Sequence, residues 1–213
     1  NSLSNLKNGA ENSSSVAQVL AARRSCRNYK TTPIDPKILE NLIDQARRTP
    51  TAGNSQGVEF LVLNGEKEVA AYWNTTLDKD RRDNFPWPGL LLAPVLVIPY
   101  GMPERYLSRY QEIDKKKSGL GESIDAWPIP YWIVDASSAS TALQLLVVES
   151  GMACCFFGQF EKEEKVSQRF SVPREARAIG TIAIGWAADD DRSSISVART
   201  RRPLEDVLHV SEW

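Results

Sequence analysis

The chain has 213 residues, with 26 Lys and Arg against 27 Asp and Glu, so its formal net charge is −1. That length and a 42% hydrophobic, 25% charged composition suit one domain with a sizeable core, and the even charge argues against a nucleic-acid partner held by bulk electrostatics. The single histidine, His209, removes Ser-His and Cys-His catalysis and His-based metal sites, so no metal is expected and the chemistry falls to something the protein binds.

Residues 1–14 are polar and rich in Asn and Ser, an extension without the order of a signal peptide, and residues 15–213 read as a single domain. Ser14 or Ser15 caps a first helix through Val16, Val19 and Leu20 to Arg23 and Arg24. Asp35-Pro36 opens a second, with Leu39, Leu42, Ile43 and Ala46 on one face and Pro50 stopping the pattern. Residues 51–57 are turn-rich, 58–63 predict a strand, and 66 to about 79 predict a helix that ends before Pro86-Trp87-Pro88-Gly89.

Val95 to Pro99 predicts a strand so apolar that it should be central. The surrounding apolar run, 90–100, is too short for a bilayer and contains Pro94 and Pro99, so no membrane is expected. Residues 101–130 mix Lys115-Lys116-Lys117 with glycines and aromatics at little periodicity, the pattern of a lid or covering segment. Asp135 is expected to cap a long helix that ends at Gly151, apolar over so much of its surface that it needs cover on two sides. A third strand, 152–157, holds Cys154 and Cys155 as buried thiols. Three cysteines without a Cys-x-x-Cys spacing suit a reducing, cytoplasmic compartment. A charged surface helix over 161–170 and a fourth strand over 178–187 follow, and Asp189-Asp190-Asp191 reads as an exposed turn. The alternation of helices and strands predicts an α/β or α+β sandwich.

Gly119-Leu120-Gly121 lacks the third glycine of a dinucleotide fingerprint, and Trp186 stands where a phosphate loop at Gly180 and Gly185 would need Lys. Arginines concentrate instead in Arg23-Arg24-Ser25-Cys26-Arg27 and in Arg199-Thr200-Arg201-Arg202. Guanidinium forks with a serine hydroxyl suit a phosphate, whereas Arg23 and Arg24 equally suit the negative end of a helix dipole.

The order of motifs resembles the FMN-dependent nitroreductase family. It runs from Arg23-Arg24-Ser25-x-Arg27 through Pro33-Ile34 and Thr49-Pro50-Thr51-Ala52-Gly53-Asn54-Ser55-Gln56 to Ala93-Pro94, Phe157-Gly158, Val172-Pro173, Gly180 to Gly185 and Arg199-x-Arg201. The resemblance covers roughly residues 16–210. It implies an α+β three-layer sandwich, a central, mostly antiparallel sheet flanked by helices, in a homodimer with FMN at the subunit interface. Arg23, Arg24, Ser25 and Arg27 would line the phosphate and ribityl side of the flavin, with Arg199 and Arg201 as the second phosphate pair. Pro50, Thr51 and Ala52 would lie against the partner's flavin ring, Asn54 sits in the same turn, and Phe157 and Gly158 would bring backbone to flavin N5. The implied activity carries hydride from NAD(P)H through FMN to a nitroaromatic, quinone or similar acceptor by a ping-pong route, with storage of FMN without turnover, or a specialised flavin reaction, as the alternatives.

Three positions depart from the family pattern. Gln56-Gly57-Val58 replaces Gln-Pro-Trp, Phe157 stands where many relatives have an acidic residue, and Pro86 to Gly89 falls where Asn and Lys are usual. Arg27 then becomes the first candidate for positive charge near flavin N1, ahead of Arg81 and Arg82. The implied lid is 101–130, where Tyr106, Tyr110, Trp127, Tyr131 and Trp132 either shape a flat substrate pocket or simply pack together. The tail, 199–213, is expected to reach onto the partner.

Overall fold

The structure, a computed structural model, describes residues 15–213, so the 1–14 extension and Ser14 lie outside the described residues. Thirteen elements carry the fold: α1 (Val16–Ala22), β1 (Tyr29–Lys30), α2 (Pro36–Ala46), β2 (Val58–Asn64), α3 (Glu66–Thr76), α4 (Lys79–Asp83), β3 (Val95–Gly101), α5 (Pro103–Tyr110), α6 (Tyr131–Glu149), β4 (Ala153–Phe157), α7 (Glu163–Arg169), β5 (Arg177–Ala178) and β6 (Thr181–Ala187). Ser15 caps α1 reciprocally with Gln18, its hydroxyl accepting the Gln18 N–H at 3.2 Å while the Gln18 side chain accepts the Ser15 N–H at 2.7 Å. Asp35 accepts the Lys37 N–H at 2.9 Å, and Pro36 opens α2 where no amide hydrogen is needed.

The sheet runs β1-β6-β3-β2, with β4 also on β6 and β5 also on β3, and the strand pairs are antiparallel. Every residue of β3 is buried, as its composition predicts for a central strand. Alternation splits each strand between two layers. Val95 and Val97 of β3, Ile182 and Ile184 of β6 and Cys154 of β4 pack with α2 and α6. Leu96, Ile98, Ala183 and Cys155 pack on the other face with α3 and α7. Helices therefore cover both faces of an antiparallel sheet, an α+β three-layer sandwich. The same alternation sends the adjacent thiols of Cys154 and Cys155 to opposite faces, and both are buried.

Five expectations need correction. The helix over 66–79 ends at Thr76, and Asp78 restarts the chain by capping α4 through the Arg81 N–H. The fourth strand breaks at Gly180, whose φ is 145°, into β5 and β6, both of which pair with β3. Residues 101–130 hold a real helix, α5, with Pro103 in its first turn, and 3-10 turns at Lys116–Ser118 and Ile124–Ala126. Asp135 does not cap α6, which begins at Tyr131 behind Pro130; it lies one turn inside, buried. The Asp189–Asp191 run is not simply exposed, because the side chain of Asp191 is only 1% accessible. In addition, α6 is a longer apolar stretch than 90–100, and by length and composition alone could cross a bilayer. In the fold Ala136, Ala139, Leu143 and Val147 are buried, the last two in the layer shared with α2 and the sheet.

Gly101 sets how closely α6 approaches the sheet. A Cβ there would lie 2.2 Å from the carbonyl oxygen of Trp132, a backbone atom that cannot rotate away. Gly101→Ala should therefore lower stability by about 1–3 kcal/mol, the usual range for overpacking. Urea unfolding measures this, and an unchanged midpoint would contradict the close approach.

Candidate active site

Arg23 leaves α1 in extended conformation, Ser25 bridges to Cys154 in parallel, and the Cys26 N–H donates to the Cys154 carbonyl at 2.9 Å. Extended chain sends alternate side chains to opposite sides. Arg23, Ser25 and Arg27 therefore share one side of the segment; burial and the Asp191 carboxylate push the Cys155 thiol up, while Arg27, the Ser25 hydroxyl and Arg23 pull it down. Arg24 points elsewhere and pairs with the Asp191 carboxylate, which also accepts the Arg27 backbone N–H at 2.9 Å. Of the four residues expected at the phosphate, three are thus brought together. Arg24 is not, because strand alternation turns it toward an internal carboxylate.

Arg27 and Cys155 open onto a cavity of roughly 350 Å³, within the range of roughly 300–1,000 Å³ typical of small-molecule sites. Trp73, Phe85, Trp87 and Phe157 form its aromatic wall, and the chain passes along it at Gly158 and Gln159. Trp73 stacks on Phe157 with centroids 5.6 Å apart, and the Arg27 guanidinium lies 5.1 Å from the Trp87 ring centroid. Arg81 lines the cavity and Arg82 does not. Beneath, Tyr72 and Thr181 share a hydroxyl–hydroxyl bond of 2.8 Å, and Gln159 Nε2 donates to Thr181 Oγ1 at 3.1 Å. That leaves Trp73 Nε1 and Gln159 Oε1 buried without partners, one donor and one acceptor on residues of the cavity wall. A flat heterocycle such as a flavin fits the aromatic walls. Trp73 and Gln159 escaped the sequence reading because neither belongs to a motif.

The turn at 51–54 is held from behind. Asp135 Oδ2 accepts the Ala52 N–H at 2.8 Å and the Tyr106 hydroxyl at 2.7 Å. Arg109 of α5 donates to the Gly53 carbonyl at 2.8 Å and forks onto Asp114 at 2.7 Å through each terminal nitrogen. Gly53 has φ 61°, and a Cβ there would meet the Tyr110 ring at 2.8 Å. α5 and the turn therefore form one bolted unit. Pro50, Thr51, Ala52 and Asn54 do not line this chain's own cavity.

For Tyr106 and Trp127 the packing reading replaces the substrate pocket. Tyr106 is fully buried, and its ring meets Trp127 and Trp132 edge to face. Trp127 is buried too and donates from Nε1 to the Leu120 carbonyl at 2.8 Å. Tyr110 packs 4.8 Å from Trp127, centroid to centroid, while Tyr131 is 40% exposed and remains accessible. Arg199 and Arg201 lie on a tail whose residues from 195 to 213 are all exposed. Among the described residues neither guanidinium pairs with a carboxylate, and neither lines the aromatic-walled cavity.

The nitroreductase family model matches residues 20–186. This chain belongs to the nitroreductase family. A nitroreductase-family protein from Clostridium difficile 630 shares the fold at TM-score 0.68 and 20% identity, covering 94% of this chain and 99% of that one. A structure from Exiguobacterium sibiricum 255-15, solved in complex with FMN, has TM-score 0.71 and 17% identity over 94% and 99% of the two chains. An iodotyrosine dehalogenase 1 homolog of Caenorhabditis elegans is 30% identical over 74 residues, 35% of this chain; the match spans only 22% of that relative's length. The nitroreductase match ends at Trp186, so the acidic run and the arginines of the tail lie beyond it.

Proposed function

We propose that the protein is an FMN-dependent oxidoreductase that moves hydride from NAD(P)H to an electron-poor acceptor. One observation carries the reading: the extended segment on which Arg23, Ser25 and Arg27 alternate runs past Cys154 and puts Arg27 on an aromatic-walled cavity. Arg23 and Ser25 would hold the phosphate, and Arg27 would place positive charge along the ring. Trp73 and Phe157 would flank the ring, and Gly158, lacking a Cβ, would let the main chain approach closely. Bound FMN would supply the hydride relay itself, in ping-pong fashion between the nicotinamide and a nitroaromatic, quinone or similar acceptor. The residues around it orient the ring and exclude water; none needs to act as an acid or base.

The proposal includes a homodimer. Leu204, Val207, Leu208 and Val210 of the tail are exposed, as are Tyr131 and Val134 on α6 and Val16 and Leu20 on α1. A second copy would cover these faces, and the turn at 51–54 would then serve the partner's ring.

Acid release of the chromophore followed by chromatography should yield FMN and no FAD, since no pyrophosphate fingerprint is present. Mixing with NADH or NADPH without oxygen should bleach the flavin, and a quinone or nitroaromatic should restore the colour. A protein that neither carries nor takes up FMN would refute the proposal, and bound FMN that no nicotinamide bleaches would favour storage.

A further inference from the structure

We propose that Asp191 is a positioning residue for the phosphate segment, and this rests on the FMN reading above. The acidic run leaves β6 alongside the segment that carries the arginines. Lys30 pairs with Asp189 at 2.8 Å, Asn28 Nδ2 donates to Asp190 at 2.8 Å, and the Ala188 N–H donates to the Asn28 carbonyl at 2.9 Å. Those outer rungs are solvent-exposed and contribute little. Asp191 differs, because its buried carboxylate accepts from the Arg24 guanidinium and from the Arg27 backbone N–H at once. One bond draws Arg24 to the far side of the extended segment. The other fixes the backbone of Arg27, whose side chain lines the cavity. Together they set the alternation that presents Arg23, Ser25 and Arg27 on one side.

A carboxylate this close to a phosphate site has an electrostatic effect of the opposite sign. By charge alone it repels the anion, and its removal should tighten FMN binding. By position it holds the binding groups in register, and its removal should weaken FMN binding. The direction of the change therefore separates the two roles.

The test titrates FMN and riboflavin, which lacks the phosphate, into flavin-stripped wild-type protein, Asp191→Ala and Asp191→Asn. Asp191→Ala is expected to weaken FMN by roughly tenfold or more, the scale of lost hydrogen bonds to a charged group. Riboflavin should weaken by no more than about threefold, through Arg27 alone, because it lacks the phosphate that Arg23 and Ser25 would hold. Asp191→Asn keeps one acceptor oxygen, enough for the Arg27 N–H on Oδ1, but places an amide NH2 where Oδ2 meets Arg24, so it should restore FMN affinity only in part, to a loss of about three- to tenfold. Equal losses for both flavins would mean that the carboxylate only supports the fold, and would overturn the proposal. Should the Ala variant not fold, Asp191→Asn decides alone, since FMN binding tightened by more than about tenfold would make the residue a repulsive charge. Wild-type protein that takes up neither flavin would overturn the cofactor reading and this proposal with it; FMN bound by wild type and undiminished in Asp191→Ala would overturn the proposal alone.

Discussion

Asp135→Ala is expected to lower the stability of the fold by about 2–5 kcal/mol, because each buried donor left without an acceptor costs about 1–3 kcal/mol. Two such donors depend on one oxygen, the Ala52 N–H and the Tyr106 hydroxyl, and both Asp135 and Tyr106 are buried. Asp135→Asn offers an uncharged oxygen to the same donors and should lose about half as much, since charge-assisted bonds are about twice as strong as neutral ones. Tyr106→Phe keeps the ring packing against Trp127 and Trp132 and should cost about 1–2 kcal/mol for the lost hydroxyl. Urea unfolding of the three variants and of Asp135→Ala/Tyr106→Phe, read as a double-mutant cycle, measures these terms and their coupling. An Asp135→Ala protein within about 0.5 kcal/mol of wild type would show that the carboxylate does not hold the turn to α5.

Alkaline solution should destabilise the protein steeply, beginning near pH 9. Burial is the first cause of a raised pKa at all three thiols, taking Cys26 to about 11 and Cys154 to about 12, and raising Cys155 too. Tyr72 is likewise pushed up to about 12, and burial raises Tyr29, Tyr100 and Tyr106. In each group the folded state holds its proton more tightly than the unfolded chain, whose thiols titrate near 9.0 and whose phenols titrate near 10.0. Between the two values the unfolded state binds fewer protons, so stability falls as pH rises. The contribution is complete below about pH 9, and each group then removes up to about 1.4 kcal/mol per pH unit. Unfolding free energies at pH 8, 9, 10 and 11 should decline with increasing slope, and native thiols at pH 8 should react with a disulfide reagent only after unfolding. A flat profile to pH 11 would mean that these side chains are not buried as described.

Local chemistry was legible in the sequence. An N-cap and its acceptor lie within three residues, so Ser15 and Asp35-Pro36 announce α1 and α2. Unbroken apolar runs marked β3 and β4, and the burial of Cys154 and Cys155 followed from them. The order of short motifs pointed to the family that the matched residues 20–186 establish. Two elements were not legible: β1 has two residues, too few to display a period, and α5 opens without a side-chain N-cap. Nor were roles that depend on distant partners. Asp135 looked like a cap because Asp favours helix starts, but its acceptor oxygen serves Ala52, 83 residues away. Tyr106 looked available because an aromatic in a loop carries no sign of burial, and only packing with Trp127 and Trp132 removed it from solvent. Asp191 looked like a solvated turn, whereas the β1–β6 pairing brings it against Arg24 and Arg27 across more than 160 residues. The sequence by itself determined the starts of α1 and α2, the central strand and the arginine-serine motif, because those signals act over a few residues. The tertiary structure decided which arginines share a side, which aromatics are buried and which carboxylates hold the site in place. Burial and hydrogen bonding are properties of chain segments brought together, and no local pattern encodes them.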